Sequence, residues 1–266
     1  MTERATSAQG RRRRLLMVGG GTLAVVVVIA AVWIAVAKTS GTRKATAQAN
    51  PSASASASAS ASPAGCQWRP LGNPSPSPGA SPDPVPTTVK EVGKPPASGE
   101  PRSGGQIMTV TTNLGVIVVK IDDAKTPCTA ASFSYLAGQK FFDGSSCHRI
   151  VPSIHALQCG DPSGTGTGGP TYQFDDENLP VDRRPSYAEG AVAMANAGPG
   201  TNGSQFFFLY GDNDADTLAP SYSLFGRITQ GLDIVKKVAD GGADGDQGDH
   251  PKTTLTILSV TMSPSS

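Results

Sequence analysis

The residues of this chain that could do chemistry are few, and most of the obvious arrangements fail on spacing. His148, His155 and His250 are the only histidines, too few for a His-based metal site, and neither H-E-x-x-H nor G-x-S-x-G occurs. Gly164-Thr165-Gly166-Thr167-Gly168-Gly169 has the composition of a phosphate loop but runs into Pro170 instead of opening a helix. Asp212, Asp214 and Asp216 imitate the start of a calcium loop, yet the sixth position is Thr217 and the twelfth is Ser223. Cys66, Cys128, Cys147 and Cys159 form an even set, which points to two disulfides in an oxidising compartment and leaves three connectivities open.

The elements that must position such residues lie in the second part of the chain. Residues 1–104 carry 12 Lys/Arg against 4 Asp/Glu, whereas residues 105–266 carry 10 against 17. A domain of that acidic balance, with no basic stripe, excludes a nucleic-acid partner. Arg11 to Arg14 precede Leu15 to Ala37, 23 residues without a charge, long enough for a transmembrane helix with the arginines in the cytoplasm. A cleaved signal peptide ending at Ala35-Val36-Ala37 is the competing reading, and both export the C-terminal part of the chain. Residues 38–104 are rich in Pro, Ser and Ala and too poor in large apolar residues to fold alone, so they read as a disordered extracytoplasmic linker. A disulfide at Cys66 would tie the end of that linker to the domain.

From residue 105 onward the patterning is mostly β. Ile107–Thr112 and Val116–Ile121 flank a turn at Asn113-Leu114-Gly115. Further runs occur at 146–151, 156–158, 191–195, 205–210, 223–228 and 254–262. Thr126 and Pro127 predict a helix start and Gly138 its stop; a second helix is predicted over 232–238. About eight strands and two helices make a barrel or sandwich with helical caps.

Three segments then supply a specific pattern: CHRIVPSIHALQCGDPSGTGTGG (147–169), FDDEN (174–178) and MANAGPGTNGSQFF (194–207), continued by SLFGRI (223–228). Together they resemble the cyclophilin family of peptidyl-prolyl isomerases over residues 106–262, in the form of its exported bacterial branch. The resemblance implies a closed antiparallel eight-stranded barrel capped by two helices. It also implies rotation about X–Pro bonds, with proline-containing polypeptides as partners and no metal or cofactor; nothing in the sequence suggests more than a monomer. Such rotation faces a resonance barrier of about 18–20 kcal/mol, which a guanidinium can lower by donating to the imide nitrogen as it pyramidalises. By resemblance that guanidinium belongs to Arg149, with Gln158 ordering the substrate carbonyl. Ala195 and Asn196 would hold the peptide backbone, Gln205 would join them, Phe207 would floor the proline pocket, and Leu218 would wall it. Phe206 is assigned to the barrel interior.

The departures matter as much. Pro152 to Leu157 is one residue longer than the family's usual segment, which places His155 where a pocket phenylalanine is expected and lets Ile154 supply the apolar contact instead, beside Ala156. Tyr222 stands at a pocket histidine position. Thr217 stands where many members carry a tryptophan that touches cyclosporin, so weak cyclosporin binding is expected. A tethered peptide-binding or holdase module with little isomerase activity is the alternative function.

Overall fold

The computed structural model describes residues 65–71, 88–245 and 249–265. The expected membrane span at 15–37 lies outside them; among the described residues no helix is long and apolar enough to cross a membrane. Eight strands make the main sheet: β1 Gln106–Thr112, β2 Gly115–Ile121, β3 Arg149–Val151, β4 Ala156–Cys159, β5 Ala191–Met194, β6 Phe206–Leu209, β7 Leu224–Gln230 and β8 Ile257–Pro264. Helix α1 spans Pro127–Gly138 and α2 spans Leu232–Asp240. The order across the sheet is β8-β1-β2-β7-β5-β6-β4-β3, and every pairing is antiparallel.

The expected closed barrel is not formed. The sheet curls, but β8 and β3 remain its edges, and the segment before β3 meets the start of β8 only through the Ser146–Thr256 bridge and flanking bonds such as Cys147 N–H to the Leu255 carbonyl, 2.9 Å. The cause is local: β3 has three residues and runs into Pro152, which has no N–H to continue a ladder.

Alternation builds the core. Met108 and Val110 pair with Val119 and Ile117 across β1 and β2, and all four are fully buried. Ile150, Leu157, Val192, Phe206 and Phe208 bury the same concave face, against Phe133 and Leu136 of α1 and Val235 and Val238 of α2. Phe133 is the centre of an aromatic cluster, stacked on Phe142 and Phe225 at 5.5 and 4.9 Å with Phe206 edge-on.

Both helix ends of α1 differ from expectation. The Thr126 hydroxyl donates to the Asp122 carbonyl and makes no cap bond. Instead the Glu177 carboxylate, 48 or more residues away, accepts from the backbone N–H groups of Cys128 and Thr129 at 3.0 and 2.9 Å, supplying negative charge where the helix dipole favours it. Burial pushes the Glu177 carboxyl above its ordinary range, opposed by these hydrogen bonds. At the other end Gly138 is still helical, and the left-handed residue is Lys140, φ 52°. Lys140 N–H bonds the Ala137 carbonyl and Phe141 N–H bonds that of Leu136, a Schellman closure with Phe141 and Leu136 both buried.

Of the three disulfide connectivities the chain has Cys66–Cys128 and Cys147–Cys159. The first joins the segment 65–71 to the start of α1, and the second clamps the strands that bear Arg149 and Gln158.

Lys140→Gly relieves the left-handed strain at an exposed position and loses part of that gain to unfolded-chain entropy. Stability should rise by about 0.5–1 kcal/mol, read as an increase in the urea midpoint with an unchanged slope.

Candidate functional site

Cross-strand partners share a face, so register alone assembles the site. Arg149 pairs with Gln158, Gln158 with Phe207, Phe207 with Ala193, and Ala193 with Leu224. That row crosses β3, β4, β6, β5 and β7 on the convex face, opposite the core. Around it lies a second apolar cluster of Ala156, Tyr187, Ala191, Ala193, Phe207, Leu209 and Leu218, with Ile154, Ala195, Tyr222 and Leu224 packed against it. The Phe207 ring meets the Tyr222 ring edge-on at 5.5 Å. Ile154, Ala156, Phe207, Leu218 and Tyr222 are thus brought together.

His155 is not. It is exposed and left-handed, φ 46°, with its ring edge-on to Tyr210 at 5.7 Å. The longer Pro152–Leu157 segment forms a 3-10 turn over Pro152–Ile154 that delivers Ile154 to the apolar cluster and turns His155 away from it.

Arg149 is half exposed on the edge strand. Its Nε donates to Asp249 Oδ2 at 2.8 Å, and among the described residues its terminal nitrogens have no hydrogen-bond partner. The guanidinium is therefore oriented from behind while its donor tips stay available. Gln158 is held in turn: its Nε2 donates to Gln205 Oε1 at 2.7 Å, and Gln205 Nε2 donates to the carbonyls of Gly166 and Gly168 at 3.0 and 2.8 Å. The Gln205 side chain is thus committed to positioning Gln158. Ala195 N–H bonds the Gln205 carbonyl, and Asn196 Nδ2 donates to the Ser221 carbonyl at 3.1 Å.

The N–H groups of the glycine loop are turned inward: those of Thr165 and Thr167 meet the hydroxyls of Ser163 and Thr165. The protein's own Asp161, fully buried, accepts from Gly166 N–H at 2.7 Å and Gly168 N–H at 3.0 Å, and from Ser163 N–H and Oγ–H, each at 2.7 Å. Burial raises the Asp161 carboxyl, but these bonds outweigh it and hold it below its ordinary range. A Cβ on Gly168 would lie 2.1 Å from Asp161 Oδ1, so only glycine fits.

Other supports carried no signal in the sequence. The Tyr187 hydroxyl accepts from Tyr222 N–H and donates to the Tyr222 carbonyl, both at 3.0 Å, fixing the loop that presents Leu218 and Tyr222. Asn213 Nδ2 donates to the Ile154 carbonyl at 2.8 Å. Asp249 and Tyr187 belong to none of the motif segments, and only proximity in the fold reveals them.

Two cavities flank this face. One, of about 350 Å3, lies beside Gln158, Gln205, Ala195 and Asn196 and is also lined by Leu71. The other, of about 520 Å3, is lined by Lys120, Arg183, Arg227 and Phe225 among others and holds none of the expected site residues.

An apolar cluster around Phe207, an oriented guanidinium and an amide-held glutamine on one rung of an antiparallel half-barrel define a class of protein. Residues 107–262 match the family described as cyclophilin type peptidyl-prolyl cis-trans isomerase, more than half of the chain, and the chain belongs to that family. It is 42% identical over 189 residues to the probable peptidyl-prolyl cis-trans isomerase B of Mycobacterium tuberculosis H37Rv, a match covering 65% of this chain and 60% of that protein. The human peptidyl-prolyl cis-trans isomerase-like 1 is 36% identical over 173 residues, covering 62% of this chain and 94% of its own. Among solved structures, a cyclophilin type isomerase of Cryptosporidium parvum matches 61% of this chain and 99% of its own at a TM-score of 0.54 and 26% identity. The same protein has been crystallised in the presence of the dipeptide Ala-Pro.

His148 sits beneath the glycine loop, buried, with neither ring nitrogen partnered among the described residues. Burial lowers its pKa from the ordinary histidine value; Asp161 opposes this, Arg149 adds to it, and the smaller influences of Asp249 and His250 oppose each other. The unfolded chain therefore takes up a proton near pH 6.5 that the native domain refuses. Stability should be fully retained above that pH and fall progressively as the pH drops below it. Urea midpoints measured from pH 7.5 to 5.5 should decline in the parent and decline less in His148→Gln.

Proposed function

We propose that the chain is a peptidyl-prolyl cis-trans isomerase acting on X–Pro bonds of exported or envelope polypeptides, and that it assists their folding. The observation that carries this reading is the single cross-strand row in which Arg149, Gln158 and Phe207 stand side by side, with Leu218 and Tyr222 in the same apolar cluster as Phe207. In this reading the proline ring sits on Phe207 and the substrate backbone lies along Ala195 and Asn196 as an added strand. Arg149, oriented by Asp249, donates to the imide nitrogen as the amide twists, and Gln158 holds the neighbouring carbonyl. No nucleophile, metal or cofactor is needed, because no covalent bond is made or broken.

Uncatalysed prolyl isomerisation takes tens of seconds, slow enough to limit folding outside the cell. Paired cysteines support an oxidising location, and the 23-residue uncharged stretch after Arg14 supports a single-pass anchor with the domain outside. A monomer and weak cyclosporin binding complete the reading, the latter from Thr217. The chain spans about 60% of the length of the mycobacterial relatives it matches. A holdase reading draws on the displaced His155 and the longer turn before it.

The test is exchange spectroscopy of a short Ala–Pro-containing peptide with the full chain and with Arg149→Ala. Catalysed cis–trans exchange should fall by about 10²–10³-fold in the variant, with the peptide's chemical-shift perturbations largely kept. Perturbed shifts without exchange in the parent would establish the holdase instead.

A further inference from the structure

The family match begins at residue 107, yet residues 65–71 and 88–105 are built onto the domain: Leu71 lines the 350 Å3 cavity beside Gln158, and Val89–Lys90 pair with Gly169 and Pro170 of its lining. We infer that this disulfide-pinned extension is a specificity element, with Leu71 as the wall that selects the side chain lying next to the X–Pro pair. The inference rests on the isomerase reading and adds what that reading does not contain.

Four contacts fix Leu71 in place. Cys66 is bonded to Cys128 at the start of α1. Trp68 lies edge-on to Tyr172 and Phe174 at 5.4 and 5.5 Å, and its indole N–H donates to the Pro96 carbonyl. Arg69 pairs with Asp175 at 2.6 Å and also bonds the Gly200 carbonyl. Arg69 and Pro70 then form a short antiparallel ladder with Gln173 and Tyr172, closed by Leu71 N–H to the Thr171 carbonyl at 3.0 Å. A chain held at so many points cannot withdraw Leu71 without breaking a disulfide or a ladder.

The second limb reaches the same cavity from behind. Val89 and Lys90 run parallel to Gly169 and Pro170, and Thr88 Oγ1 bonds Thr167. These residues back the loop whose Gly166 and Gly168 carbonyls hold Gln205, and through it Gln158. Thr167, Gln158, Gln205, Asn196 and Thr201 supply polar groups to the cavity, and Leu71 adds the largest aliphatic side chain to an apolar share that includes Pro170, Tyr172, Ala195 and Ala197. The cavity adjoins Ala195 and Asn196, which hold the substrate backbone in the isomerase reading. A side chain of the client adjacent to the X–Pro pair enters it, and medium-sized apolar residues fit Leu71 best.

The experiment uses the full chain and paired X–Pro peptides that differ only in the residues flanking the pair, glycine in one and leucine in the other. The measured quantity is the ratio of kcat/KM for the leucine-flanked over the glycine-flanked peptide. Leu71→Trp, which fills the cavity, should lower that ratio by about 10-fold. Cys66→Ser/Cys128→Ser, which frees the extension, should bring the ratio to that of Leu71→Ala. A merely structural role would depress both peptides together and leave the ratio where it was. An unchanged ratio in Leu71→Trp, with the parent active on both peptides, overturns the inference and spares the isomerase reading. A parent inactive on both peptides overturns both. A ratio altered in Leu71→Ala but not in the double cysteine variant overturns the part given to the disulfide.

Discussion

Everything in this domain depends on β6 being buried on both faces at once. Successive residues of a strand point to opposite sides, so Phe206 and Phe208 enter the aromatic core while Phe207 and Leu209 enter the convex cluster. Each buried phenylalanine is worth about 1.5–3 kcal/mol, and a one-residue slip would exchange the two sets. Four rungs with β4 and three with β5 lock the register. Once it is locked, Gln158 must stand beside Phe207 and Arg149 beside Gln158, because pairing partners share a face. The packing of the core thereby dictates the geometry of the site on the other side of the same sheet.

Carboxylates do the remaining positioning, and they do it as acceptors for backbone N–H groups. Asp161 gathers the glycine loop, Glu177 closes the start of α1, and Asp176 accepts from Gly200 N–H and Asn202 Nδ2, both at 2.8 Å. Bonds of this charge-assisted kind are stronger than neutral ones. They explain why glycine-rich, otherwise entropic segments can form a rigid rim around the cavity beside Gln158. An acidic domain thus uses part of its charge internally.

The sequence was legible where a short-range rule applied. Short β-branched and apolar runs located the eight strands, Pro127 located the start of α1, and the motif strings brought Arg149, Gln158 and Phe207 forward together. It was illegible where the partner lies far along the chain. Glu177 replaces Thr126 as the cap across 48 or more residues, and Asp249 reaches Arg149 across 100. Barrel closure failed for a different reason: eight strands can be counted from patterning, but whether the first and last edges meet depends on the three-residue β3 and Pro152. Local spacing also could not decide between Ile154 and His155. The 3-10 turn places Ile154, and not His155, against the apolar cluster, since a left-handed residue at 155 reverses the chain just before β4.

The edge position of β3 has a functional logic that closure would remove. In the proposed isomerase a polypeptide client approaches with its backbone extended, and a row ending at an open edge leaves room for chain on either side of the X–Pro pair. The same openness exposes Arg149 to water, which weakens any single charge interaction it makes. Orientation then has to come from hydrogen bonding, and the Asp249 bond to Nε supplies it without consuming the terminal donors. Asp249 is anchored by backbone as well as by side chain, since its carbonyl accepts from Ile150 N–H at 2.7 Å. One residue thus extends the edge strand and aims the guanidinium beside it, so in the proposed reading the accessibility that a client requires and the rigidity that the chemistry requires come from the same contact.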